Sequence, residues 1–177
     1  MRTRIQSVDA VTLDGAGTIH RGVDLVIADG LIESIGDVAN ASIDAAVAPV
    51  DEVVDGRNHV ALPAFWNAHC HAAMTFERGW AEDLPLDRWF NERIWVAESA
   101  LTSDDVYWGA ALAACELLRG GCIGFNDHYF YMDRVADVVT QAGMKAGLAW
   151  CQFGGSAPEV GTDLDGALRF ALDHRDG

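Results

Sequence analysis

Leu62-Pro63-Ala64-Phe65-Trp66-Asn67-Ala68-His69-Cys70-His71 is the stretch on which the reading of this chain turns. An apolar run of the length of a buried strand ends in two histidines one residue apart, and in extended backbone residues i and i+2 face the same side. Both imidazoles can therefore reach one metal ion, and neutral imidazole is a common ligand for zinc, iron and nickel. Cys70, between them, is expected to point the other way. The plainer reading of such a pair is a strand end whose rings bond to backbone. The segment after the pair, Ala72-Ala73-Met74-Thr75-Phe76-Glu77-Arg78-Gly79, reads as a connection leaving a sheet. In a parallel barrel the chemistry gathers where strands end and loops begin.

Downstream of Phe65, strands alternate with helices. Thr102-Ser103-Asp104-Asp105 predicts a helix start, a hydroxyl cap followed by acids in the first turn. Val106, Ala110, Ala113 and Leu117 then recur at helical spacing until Gly120-Gly121 stops the run. Cys122-Ile123-Gly124-Phe125 predicts a short strand running into Asn126-Asp127-His128-Tyr129. Asp133 is expected to cap a helix carrying Val135, Val138, Val139 and Ala142, which Gly143 closes. Ala146 to Cys151 reads as a third strand. This order predicts a parallel sheet with right-handed crossovers, all strands ending at one face. His69 and His71, then Asp127 and His128, then Cys151 and Gln152 would meet around one mouth. Further on, Gly154 to Pro158 reads as a loop, and an acidic helix is expected around Leu164 to Leu172, with His174 exposed at its tail.

Upstream the grammar is different, with short strands and tight turns as far as Ala61. Val23, Leu25 and Ile27 alternate with polar or small neighbours, Asp29-Gly30 is a hairpin signal, and Leu31 to Ile35 returns. Asp14-Gly15 and Asp55-Gly56 mark further turns, while Val53-Val54 and His59-Val60 read as strand pieces. The Ala-rich segment from Asn40 to Pro49 has no clear period and reads as a loop.

Composition narrows the function classes. Half of the 177 residues are hydrophobic, enough for a core in a chain of one ordinary domain or one and a part. The net charge of −15, from 12 basic and 27 acidic residues, argues against nucleic acid and against an anionic membrane surface, because both need clustered Lys and Arg. No uninterrupted apolar run approaches the length of a membrane span, and the first residues lead into no apolar signal core, so a cytoplasmic location is expected. Cysteines 70, 115, 122 and 151 show no Cys-x-x-Cys spacing and read as reduced, mostly buried side chains.

Leu62-Pro63 leading to Asn67-Ala68-His69-Cys70-His71-Ala72-Ala73-Met74-Thr75, then Arg78-Gly79, Glu82-Asp83-Leu84-Pro85-Leu86 and Trp89, resembles the amidohydrolase superfamily. The resemblance is to the branch of the 5-methylthioadenosine/S-adenosylhomocysteine deaminases and the triazine chlorohydrolases. It continues through Leu118-Arg119-Gly120-Gly121, Phe125-Asn126-Asp127, Tyr129-Phe130 and Ala142-Gly143-Met144, and so covers nearly everything from Leu62 to about Cys151.

That resemblance implies an α/β fold: residues 1–61 as part of a small β-sandwich and 62–177 as the first strands and helices of a (β/α)8 barrel. It implies one divalent metal ion, zinc ahead of iron, with His69 and His71 matching the first two ligands. In the deaminases of this branch the position of Glu98 contacts sugar hydroxyls and Trp89 lies beside the substrate. Read without the family, Glu98 is an exposed helix acid and Trp89 a core residue. His128 stands where relatives tend to be apolar, and either faces the substrate or bonds within the sheet. The implied reaction is hydrolytic deamination of a purine nucleoside, purine, pterin or related small N-heterocycle. The alternatives are dechlorination or amide hydrolysis at the same site, or a non-catalytic fragment.

A barrel of this kind takes roughly 250 residues, and fewer than half that number follow Ala61. The remaining ligands and the catalytic proton-transfer groups are therefore expected beyond Gly177. The rest of the barrel is expected as a continuation or a second chain, in a homo-oligomer, and the 177-residue chain alone is expected to be inactive.

Overall fold

The computed structural model describes residues 1–36, 49–152 and 164–175. Of the segments expected as loops, residues 40–48 and 154–158 lie outside the described residues. The chain divides into two units, Met1–Pro63 and Ala64–Gly177.

The first unit is a sheet built on β1 (Arg2–Val11), which runs antiparallel to β2 (Ile19–Ala28) and parallel to β4 (Glu52–Asp55) and β5 (Val60–Ala61). β3 (Leu31–Gly36) pairs antiparallel with β2 on the far side. The expected hairpin turns at Asp29 and Gly30, both with positive φ (49° and 81°), as a two-residue turn matched to strand twist demands. β1 and β2 are ten residues each and not the short strands expected. The alternation lapses at Ser7, whose φ is 58° and where the pairing of β1 with β2 shifts register, so the hydrophobic pattern breaks while the ladder continues. Val8, Ala10, Leu25 and Val26 are the buried apolar residues here, whereas Ile32, Val53 and Val54 remain exposed.

The second unit carries a parallel sheet in the order β6 (Phe65–Cys70), β7 (Cys122–Tyr129), β8 (Lys145–Trp150). After β6 comes a 3-10 helix, Ala72–Glu77, and then one helical run made of α1 (Leu86–Trp89), a π-helical turn Phe90–Ile94 and α2 (Trp95–Glu98). α3 (Ser103–Arg119) crosses from there to β7, α4 (Met132–Ala142) joins β7 to β8, and α5 (Leu164–Asp173) packs near β8. Phe125, Phe130, Met132, Val106 and Val135 are almost fully enclosed and anchor a core shared by sheet and helices. Among the described residues no helix is long and apolar enough to cross a membrane.

Local chemistry accounts for the ends of α3. Thr102 accepts from the Asp105 backbone N–H (3.3 Å), while the Asp105 carboxylate accepts from the Thr102 N–H (2.9 Å), a reciprocal cap that satisfies two of the orphaned donors of the first turn. Thr102→Ala removes one half of this pair and is expected to cost about 1 kcal/mol in urea denaturation. Gly143 closes α4 with φ at 64°, and the Met144 N–H reaches back to Val139 O at 3.0 Å.

Four expectations are corrected. The apolarity of β6 predicts a buried strand, yet Phe65 and Trp66 are about half exposed, because within this chain β6 is an edge strand bonded on one side only. β7 does not stop at Phe125 but runs to Tyr129, so Asp127 and His128 lie within the paired strand. Asp133 does not cap α4: the chain leaves β7 through Tyr131 in the left-handed conformation, and Asp133 stands in the first turn, where its charge suits the helix dipole. None of the four free cysteines is buried, and Cys115 is exposed on α3. His174 is exposed as expected, but its ring packs 4.4 Å from that of Phe170.

Candidate active site

Where β6 ends, the chain is pinned to β7. The Ala72 N–H donates to Asp127 Oδ2 at 3.2 Å, and His71 Nδ1 lies 2.9 Å from the backbone oxygen of His128. A carbonyl only accepts, so Nδ1 carries the hydrogen and Nε2 keeps its lone pair, the form of imidazole that binds metals. Burial lowers the pKa of His71 and favours that neutral ring; its bond to the His128 carbonyl opposes the shift and the neighbouring His128 and His69 add to it. The His69 ring centre lies 5.0 Å from that of His71 and 6.1 Å from that of His128, and His71 stacks on His128 at 4.8 Å.

His71 and His128 border a cavity of about 200 Å3. His71, His128 and Tyr129 line it together with Trp89, Phe90 and Glu98 from the helical run, and Met74, Ile94, Phe130 and Cys151 complete the wall. The residues named from sequence are thus distributed as follows. His71, His128, Trp89 and Glu98 share the cavity, and His69 stands beside it, exposed, against the other two imidazoles. Glu98 is only 7% exposed and Trp89 is half-buried, so neither the free helix acid nor the plain core residue describes them. Cys151 joins the wall, while Gln152 is not part of it.

Burial dominates the electrostatics. It pushes Asp127 up to about 6, against the pull of the Ala72 N–H and of His128, and leaves Asp127 Oδ1 enclosed with no hydrogen-bond partner. Glu98 is raised by burial, with the Tyr129 hydroxyl beside it working the other way. Burial and then the charge of Asp127 push the Cys70 thiol up to about 12. Because thiolate is the reactive form, exposed Cys115 is expected to alkylate about tenfold or more faster than Cys70 at mildly alkaline pH, read by mass spectrometry of the labelled peptides.

Three residues escaped the sequence reading of the site: Asp127 as the clasp on Ala72, Tyr129 and Glu77. The only signal available was position. Asp127 and Tyr129 alternate with exposed Asn126 and His128 on β7, and Glu77 stands between Phe76 and Arg78 in the connection after His71. Among the described residues, no three His, Cys, Asp or Glu side chains are placed to hold one metal ion. His69 and His71 offer two ring nitrogens, one short of the three protein ligands that catalytic zinc sites take.

Residues 60–172 match the model of the amidohydrolase family. The chain belongs to that family. Among amidohydrolase relatives, it is 48% identical over 122 residues to the 5-methylthioadenosine/S-adenosylhomocysteine deaminase of Dictyoglomus thermophilum, covering 69% of this chain and 28% of the relative. It is 38% identical over 174 residues to the enzyme of the same name from Halothermothrix orenii, covering 98% of this chain and 39% of the relative. The chain therefore spans well under half the length of these amidohydrolases. An adenosine deaminase from Xanthomonas campestris, solved with bound zinc, superposes with a TM-score of 0.84 at 28% identity over 97% of this chain and 38% of its own.

Proposed function

We propose that the complete enzyme is a metal-dependent deaminase of a purine nucleoside, purine, pterin or related N-heterocycle. Residues 62–177 would supply the opening of its (β/α)8 barrel and residues 1–61 part of a β-sandwich. The observation that carries this reading is the pairing of His69 and His71 beside a cavity walled by Glu98 and Trp89, in a chain whose relatives are named as adenosine-type deaminases.

His69 and His71 would hold the ion, zinc ahead of iron because the solved neighbour carries zinc. When bound, such an ion supplies Lewis acidity that brings the pKa of water toward neutrality. The chain's own residues position and bind. The His128 carbonyl fixes the His71 tautomer, and Asp127 holds the backbone at Ala72 so that the ring cannot drift. Glu98 offers carboxylate oxygens to ligand donors such as sugar hydroxyls, Trp89 and Phe90 give aromatic surface to a ring, and the apolar wall excludes water. His128 faces the same space with its side chain. The proton-transfer groups and the further ligands are assigned to the rest of the barrel, as continuation or second chain, in a homo-oligomer.

The test is incubation of the complete enzyme with adenine nucleosides, guanine, a pterin and a chlorotriazine, with ammonia and halide assayed side by side. Ammonia from one or more of the first three is expected. Halide alone, or no release from any of them, would overturn the reading. The 177-residue chain by itself is expected to show no turnover.

A further inference from the structure

Of the residues that line the cavity, His128 alone is exposed, and the others are half-buried or buried. It stands on β7, where successive side chains alternate between two faces, Phe125, Asp127 and Tyr129 being buried and Asn126 and His128 exposed. Its backbone and its ring are engaged differently. The carbonyl is taken by His71 Nδ1 at 2.9 Å, whereas no hydrogen bond among the described residues involves the ring nitrogens. The ring lies stacked on that of His71, with centres 4.8 Å apart and planes 29° from parallel, and 6.1 Å from that of His69. Stacking covers one face of an imidazole and leaves open its edge, which carries both nitrogens.

The rest of the wall has little polarity to offer a ligand. Aromatic and aliphatic side chains make up most of it, and Glu98 and Tyr129 are 7% and 4% exposed. His71 has one nitrogen bonded to backbone and the other assigned to the ion. In a pocket of this composition a small number of placed polar groups fix the orientation of what binds. His128 does not serve as a further metal ligand, since among the described residues no three His, Cys, Asp or Glu side chains are arranged to hold one ion. A neutral imidazole instead has one N–H to donate and one lone pair with which to accept. Its place against His71 puts these groups at the end of the cavity where the ion would sit, and so beside the reacting edge of a bound heterocycle.

We propose that His128 is a specificity-determining residue: its imidazole N–H donates to a ring nitrogen of the heterocycle, on the edge that faces the histidine pair, and so favours nitrogen over carbon at that position. The proposal rests on the reading of the cavity as the site of a deaminase, and adds the kind of ligand atom that this wall recognises. Recognition by a hydrogen bond is stringent, because an isostere with carbon in place of nitrogen leaves the donor unpaired inside the complex. His128 makes and breaks no covalent bond in this role; it binds and orients.

The complete enzyme is assayed with adenosine as substrate and with 1-deaza-, 3-deaza- and 7-deazaadenosine as competitors, each of which exchanges one ring nitrogen for carbon. In His128→Leu, the KM of adenosine and the inhibition constants of the isosteres that keep the contacted nitrogen are expected to rise about tenfold, the size of one hydrogen bond. The constant of the isostere that lacks this nitrogen is expected to stay where it was, as in a double-mutant cycle with one partner already removed. His128→Gln keeps an N–H donor and is expected to recover part of the tenfold, with the same dependence on the isostere. Metal content by elemental analysis is expected to match the parent in both variants, since the carbonyl that holds His71 is main chain.

A purely structural role would move all the constants together. Equal change in every constant, or no change in any, would therefore overturn the proposal while leaving the deaminase reading in place. Failure of the whole substrate panel to release ammonia would overturn that reading, and the specificity proposal with it.

Discussion

Alanine at His71 is expected to strip the proposed metal from the complete enzyme and to lower kcat/KM by more than about a hundredfold, because residues that merely orient a ligand already cost about 10–100-fold when lost. His69→Ala is expected to do the same, since its ring lies only 5.0 Å from that of His71 and the two would grip one ion. His128→Ala is the informative contrast. His71 bonds to the backbone oxygen of His128 and not to its imidazole, so the alanine variant keeps that bond and is expected to keep its metal. Metal content by elemental analysis and turnover on the same preparations read all three variants. Complete metal loss from His128→Ala would show that the donor set has been assigned to the wrong rings.

Gly109→Val is expected to destabilise the protein by about 3 kcal/mol or more, at the upper end of what overpacking costs. Gly109 lies in the middle of α3, where alanine would gain about 1 kcal/mol in helix propensity if nothing else intervened. Something does: a Cβ at this position would run into the backbone of Ala73, its carbonyl oxygen first. The obstacle is main chain, so no rotamer relieves it. The same surface carries a bond from the Thr75 hydroxyl to Gly109 O at 2.7 Å, so helix and 3-10 turn are held in direct contact. Pushing them apart also displaces the turn that begins right after His71. A midpoint from chemical denaturation gives the loss of stability, and residual metal content reports whether the histidine pair has moved with it. An unchanged midpoint would show that the close approach is not maintained in solution.

Much of this was legible in the chain because it depends on near neighbours. The cap at Thr102, the stop at Gly120, the left-handed Gly143 and the Asp29-Gly30 turn are each set by residues within a few positions of one another, and each is where the pattern puts it. The His-x-His pair needed only the geometry of extended backbone. Family membership likewise rests on motifs quoted in order along the sequence.

The misreadings have a common cause, which is that they depended on what lies across space. Whether β6 is covered is decided by which strands flank it and not by its own apolarity, and the length of β7 is decided by its register with β8. Tyr131, and not Asp133, begins α4 because the chain must turn sharply out of β7.

The sequence by itself determined the alternation of strands and helices, the Asp29-Gly30 turn, the cap at Thr102, the acidic character and the histidine pair, all of which follow from local sterics, periodicity and charge. Only the tertiary structure decided that Asp127 clasps Ala72, that the His128 carbonyl sets the tautomer of His71, and that Glu98 and Tyr129 line one cavity with His71. Those contacts join residues up to 57 positions apart, and the desolvation that gives them their chemistry comes into being only when the elements carrying them pack together.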